Sequence, residues 1–491
     1  WAARPVVPLR PLPAGGAPSL AAASRAAPAA SAPIAGPGAR TVPRGGEAAI
    51  RLAERALIGE LGGLERMRTL VRDARAAEGP RPAAAAVPAV GDTLTLYADY
   101  ACTERPSVRA VTRHVGTKSV WLDDVENPGP EFTTSELQSL DDVFATYIDA
   151  TLTDYYGSDA DVDANGRVLV LMTKTVNEME NVAGFVWSGD LFPTSVCANS
   201  NVAEIFYGFV PDPTGIFGEV LSKSDVLATY PRLIAHEVTH VRQFTRIVFG
   251  GAGARTSWEL EGGATLAEQL VGYRVMGDGS GLDLGFTELE AGGAWYRSWA
   301  RDLGYYQGYV SEAARTAGAP EQCTWIGRPE EGNDGPCVEP QRAVYGVPAT
   351  LLRFVLDRWG PAYPGGELAM MLRMTAASTS GYATLTDVTG EPVEQILSEF
   401  GPILWMDGRG FDSFASWNLW DIFSNLPATS RLEPYLSTLA EPGMSPLVRD
   451  GSTAFLRWLP VTAHAPTSLR LRTPSDAPLP EHMILWVVRL R

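Results

Sequence analysis

Residues His236 to His240 read H-E-V-T-H, and that run constrains the fold of this chain more than any other stretch. At about 100° per helical residue the two imidazoles fall about 40° apart on one face, while Ile234, Val238, Val241 and Val248 gather on the opposite one. One face is therefore core, and the other can meet a metal. Two histidines one turn apart supply two ligands of a tetrahedral zinc ion, and Glu237 between them is placed to act as a base toward water at the remaining position. The chain has 5 His in all, so finding two at this spacing around a glutamate argues against chance.

Catalytic zinc takes a third protein ligand. After the glycine-rich turn Gly250 to Gly253, Thr256 and Glu259 are spaced as a capping box, so a second helix is expected to open near Trp258. On it, Trp258-Glu-Leu-Glu261-Gly-Gly-Ala264 resembles the W-x-x-E-G-x-A segment of gluzincin metallopeptidases such as the aminopeptidase N and hyicolysin families. That resemblance implies that Glu261 completes the zinc site. Glu268 then falls about 20° away on the same helical face, which suits a carboxylate holding a ligand imidazole by its other nitrogen. Glu259 points elsewhere and reads as a helix-start charge.

Further resemblances are looser. Val344-Tyr345-Gly is similar to the start of the V-Y-x-K-G segment of aminopeptidase N relatives, whose tyrosine stabilises the oxyanion, although the Lys-Gly pair is missing here. It implies Tyr345 as the oxyanion donor, with Tyr296 and Tyr305 as substitutes and Tyr273 pointing away. Glu178-Met-Glu180-Asn181 resembles part of the amine-anchoring G-x-M-E-N motif, but Asn177 replaces its first glycine and the spacing to His236 is too long, so it is set aside. Taken in order, the elements are most like the hyicolysin-type peptidases over about residues 90 to 425.

With 491 residues, 45% hydrophobic and 20% charged, the chain is long enough for two or three domains. Residues 1–45, rich in Ala, Pro and Gly without apolar periodicity, read as a disordered or extended arm, and residues 46–89 as a single amphipathic helix and linker. Residues 90–430 read as the zincin-like domain, α+β in class: Thr93–Tyr97, Ser119–Leu122 and Val168–Leu171 as strands, a helix from Ser135 to Tyr155, and a mostly helical part after Leu270. The apolar segment Ala203–Phe209 reads as a strand, and the resemblance to gluzincins implies that it is the sheet edge along which an extended peptide lies, which favours internal cleavage. Residues 431–491 read as a small β module, with His464 and His482 as ordinary packing or surface residues.

Asp161-Val-Asp163-Ala-Asn165-Gly166 copies the first positions of a calcium loop, but Met172 stands where the closing acid belongs. It reads as a plain turn, with Ca2+ as the minor alternative.

The formal charge of -17 argues against nucleic acid or an anionic membrane surface as partner, and no apolar run approaches a membrane span. Cys102, Cys197, Cys323 and Cys337 form an even set without C-x-x-C spacing, which fits disulfides in a secreted or envelope protein. The short polar loop favours Cys323 with Cys337, leaving Cys102 with Cys197. A start at Trp1 suggests a processed N-terminus. The expectation is a secreted zinc-dependent endopeptidase acting on peptide or protein substrates. Its rival is a zincin used as an extracellular surface or assembly subunit, with partners met through the N-terminal arm or the C-terminal module.

Overall fold

The structure is a computed structural model, and it describes residues 47–78, 87–179, 182–297, 299–300, 340–408 and 414–425, with a few isolated positions beyond them. The N-terminal arm, nearly all of the C-terminal module, and Glu180, Asn181, Tyr305, Cys323, Cys337, His464 and His482 lie outside the described residues. Mixed α+β architecture is as expected.

Two helices come first, α1 (Glu47–Glu60) and α2 (Leu64–Glu78), where a single helix was expected. The break falls at Gly62 and Gly63, whose φ angles of 87° and 92° carry the chain into the left-handed region that only glycine enters without strain. Ile50, Leu57, Met67 and Val71 turn into the core, which accounts for the amphipathic pattern of both pieces.

Strands β1 (Thr93–Tyr97), β2 (Ser107–Val115) and β3 (Ser119–Asp124) form an antiparallel meander, and β4 (Val168–Met172) then adds parallel to β3. Between β3 and β4 lie α3 (Thr134–Val143), a π-helical turn at Phe144–Ile148, and α4 (Asp149–Tyr156), which together fill the expected helical stretch. Helix α3 opens on a capping box made by Thr133 and Glu136. After a short α5 (Lys174–Asn177) come β5 (Gly184–Phe185) and β6 (Ile205–Gly208). The sheet order is β1-β2-β3-β4-β6-β5.

That order corrects the expected edge. Strand β6 bonds to β4 on one side and to β5 on the other, and all of its residues are buried, so Ala203–Phe209 is interior sheet. The described edge on this side is the two-residue β5. An apolar run marks burial on both faces of a sheet; it does not tell which strand ends it.

Helix α6 (Lys223–Val248) packs across the sheet through Tyr230, whose ring meets Trp121, Phe132, Phe206 and Phe209 and whose hydroxyl donates to the Phe209 carbonyl at 2.6 Å. Gly208 makes this possible, because a Cβ there would stand 2.5 Å from the Tyr230 hydroxyl. Helix α7 (Ser257–Met276) starts at the Thr256–Glu259 capping box foreseen from the sequence. It is buried nearly all round, as a helix without an amphipathic stripe must be. Beyond α8 (Phe286–Ala291), helix α9 (Pro340–Trp359) packs closely along α7. The approach depends on Gly262, where a Cβ would come within 2.4 Å of Pro348. Helices at Gly366–Ala376, Tyr382–Thr389, Val393–Met406 and Leu419–Asn425 complete the helical part.

Cys102 and Cys197 form a disulfide beside the buried Arg105–Asp190 ion pair (2.7 Å), in which the Tyr207 hydroxyl also donates to Asp190 at 2.6 Å. The companion bond expected between Cys323 and Cys337 falls outside the described residues. Among the described residues, no helix is long and apolar enough to cross a membrane.

Candidate metal centre

Helices α6 and α7 bring His236, His240 and Glu261 together. One ligand atom from each lies within 4.8 Å of the others. The Nε2 atoms of His236 and His240 stand 3.3 Å and 3.4 Å from the same carboxylate oxygen, Glu261 Oε2. Two imidazoles and one carboxylate oxygen therefore converge on a single point, with the rings 5.0 Å apart between centroids and nearly perpendicular. All three residues are buried, as is Glu237, which lies on the same turn as His236.

Neighbouring side chains fix which imidazole nitrogen faces that point. His236 Nδ1 lies 3.0 Å from Glu268 Oε1, and His240 Nδ1 lies 2.8 Å from Gln243 Oε1. The Gln243 amide is oriented by its own NH2 group, which donates to the Leu260 carbonyl at 3.1 Å, so its oxygen must face the imidazole. A carboxylate and an amide oxygen both accept hydrogen bonds, so a proton on each Nδ1 would be held there, which would leave the Nε2 lone pairs for a metal ion. Nitrogen, nitrogen and oxygen donors arranged in this way suit zinc. The residues present therefore fit the ion.

Glu268, at His236 Nδ1, is approached in turn by Arg232 at 3.5 Å. Gln243 was not foreseen, although its position three residues after His240 on a metal-facing helix was a readable signal. Arg51 and Glu54 were missed as well. Arg51 Nε donates to Glu261 Oε1 at 3.0 Å and its Nη1 to Glu54 Oε2 at 2.7 Å. Burial pushes the Glu54 carboxyl above the usual range, against the opposing pull of Arg51. A sequence separation of 210 residues between Arg51 and Glu261 hides that pair from any local pattern.

The Tyr345 ring centroid lies 5.9 Å from that of His236, so the start of α9 is delivered to the site. Tyr273 is buried against Trp417, and Tyr296 is held by Asp278 at 2.8 Å, which takes both away from the centre. Glu259 serves the α7 cap, as expected.

A second acidic group joins Asp161 and Asp163 of the turn to Glu204 at the start of β6, again with oxygens within 4.8 Å of one another. Glu204, and not position 172, brings the third carboxyl group to this cluster. Glu204 already has a structural task, since both of its oxygens accept the Val162 N–H, at 2.9 and 3.1 Å. Burial, reinforced by the negative charges of Asp159 and Asp163, pushes its carboxyl up to about 8.

No protein-family model and no curated protein matches this chain.

Proposed function

We propose that this protein is a zinc-dependent endopeptidase of gluzincin type. The observation that carries the reading is the convergence of His236 Nε2, His240 Nε2 and Glu261 Oε2 with Glu237 between the two histidines. His236, His240 and Glu261 would hold the ion. Zinc, when bound, supplies a water of lowered pKa and polarises the scissile carbonyl.

The chain's own residues supply the rest. Glu237 accepts the proton that the attacking water gives up and returns it to the leaving amine. Glu268 and Gln243 keep the ring tautomers in place through the cycle. Tyr345, beside His236, would donate a hydrogen bond from its hydroxyl to the developing oxyanion. The disulfide between Cys102 and Cys197 supports a secreted or envelope location.

A second reading keeps the zincin fold as a scaffold for extracellular assembly, without peptidase work. It is favoured by the closure of the site, because His236, the most exposed of the three ligands, shows only 6% of its surface. One experiment separates the two. Elemental analysis and casein cleavage on the purified full chain should give about one zinc per monomer and metal-dependent hydrolysis. Zinc without hydrolysis supports the scaffold, and no zinc, even after its addition, sinks both.

A further inference from the structure

Each of the three presumed ligands is held from outside by another side chain: His236 by Glu268, His240 by Gln243, and Glu261 by Arg51. The third of these partners comes from a different part of the chain. Arg51 belongs to α1, the first described helix, is only 2% exposed, and reaches Oε1 of Glu261, the oxygen that the imidazoles do not face. Its guanidinium is itself fixed. Nη1 bonds Glu54 Oε2, Glu54 Oε1 accepts the Ser188 backbone N–H at 3.1 Å, and the guanidinium lies over the Phe244 ring at 5.3 Å.

We propose that Arg51 is a positioning residue of the metal centre, and that α1 is therefore a working part of it. This inference rests on the zinc reading above. A carboxylate beside a zinc ion is able to bind through one oxygen or through both. With Oε1 committed to Arg51, Glu261 would offer a metal ion Oε2 alone. The guanidinium also compensates part of the negative charge that Glu54, Glu237, Glu261 and Glu268 bring to one buried region.

Helix α1 precedes the catalytic helices and lies against them, so it invites comparison with a detachable inhibitory segment. The chemistry points the other way. A blocking segment places a lone pair in the open position of the metal, and a guanidinium has none to give. The attachment is also of a permanent kind. Ile50 and Leu57 belong to the hydrophobic core, and Arg68 on α2 donates to the Ile247 carbonyl at the end of α6 at 2.7 Å and to the Ala252 carbonyl.

The test uses the full chain. Arg51→Met keeps the stem and removes the donors, and zinc affinity is read by chelator competition. A loss of roughly 10- to 100-fold relative to wild type is expected, the range found when an outer partner of a metal ligand is removed. The cobalt-substituted protein should show weaker visible absorption, because Glu261 becomes free to bind through both oxygens. Should Arg51→Met fail to fold, Arg51→Lys carries the test. Lysine keeps charge and stem but cannot bridge Glu261 and Glu54 as a planar fork does, so a loss of about threefold or more is expected. Affinity within twofold of wild type with an unchanged cobalt spectrum overturns the inference, as does faster peptide hydrolysis by either variant. A wild-type chain that takes up no zinc would instead remove the peptidase reading, so the two failures are distinguishable.

Discussion

His236 Nδ1 stands 3.0 Å from Glu268 Oε1, one of the contacts that join the two helices that make the site. His236 sits on α6 and Glu268 two turns beyond Glu261 on α7, so the carboxylate that orients one ligand and the carboxylate that acts as another share one helical face. Replacing Glu268 by Gln removes the charge while keeping the shape. Zinc affinity measured by chelator competition should fall by roughly 10- to 100-fold with the fold intact by circular dichroism. An unchanged affinity would mean that the contact orients nothing.

Tyr345 tests the oxyanion assignment. Tyr345→Phe keeps the ring beside His236 and removes only the hydroxyl. Turnover should drop roughly a hundredfold, as expected for a donor engaged mainly in the transition state, while KM and zinc content stay near wild type. Near-normal turnover would take Tyr345 out of the mechanism. Tyr296 is a poor replacement, because its hydroxyl is already committed to Asp278.

Glu204 gives a pH signature that has nothing to do with zinc. Its folded-state value of about 8 lies above the ordinary carboxylate range, so the folded chain holds a proton that the unfolded chain gives up. The stability it contributes is fully present below about pH 4, and it is lost as the pH rises through 8. Wild-type melting temperature should therefore decline between about pH 5 and 8 more steeply than that of Glu204→Gln, which holds no titrating group there. Parallel curves would show that Glu204 is ionised in the folded chain, as it would be beside a bound cation.

The disulfide between Cys102 and Cys197 spans 95 residues. Closing a loop of that size restricts the unfolded chain by an amount worth roughly 4.7 kcal/mol. The double substitution to alanine should lower the denaturation midpoint in urea melts and steepen the slope, because the unfolded chain without the bond exposes more surface. A loss below about 1 kcal/mol would indicate that the bond adds little to what the core already supplies.

How much of this was legible in the sequence differs from element to element. The α6 face carrying His236 and His240 and the Thr256–Glu259 cap are local signals, written within a few turns, and both are found in place. Glu268 was readable because Glu261 fixed the helical face. Strand β2 was missed because its buried face carries the polar Thr112 and His114 while Val111 and Val115 lie on the other face, and β5 because two residues carry no periodicity. The interior position of β6 depends on which strand lies next to it in space. Arg51 lies further still from any pattern, since its place beside Glu261 comes from docking α1 against the start of α7, where Arg51 meets Glu261 and Arg55 meets Ser257.

The central claim is that Glu237 serves as the base of a zinc centre formed by His236, His240 and Glu261. The measurement that bears on it most directly is hydrolysis of an internally quenched peptide blocked at both ends, by zinc-loaded wild type and by Glu237→Gln at matched zinc content. Wild type should cut the peptide, and Glu237→Gln should keep its zinc and lose roughly 10²- to 10⁴-fold in rate, because it lacks the base and no ligand. A Glu237→Gln chain that retains most of the wild-type rate, or a zinc-loaded wild type that leaves such peptides uncut, would contradict the account.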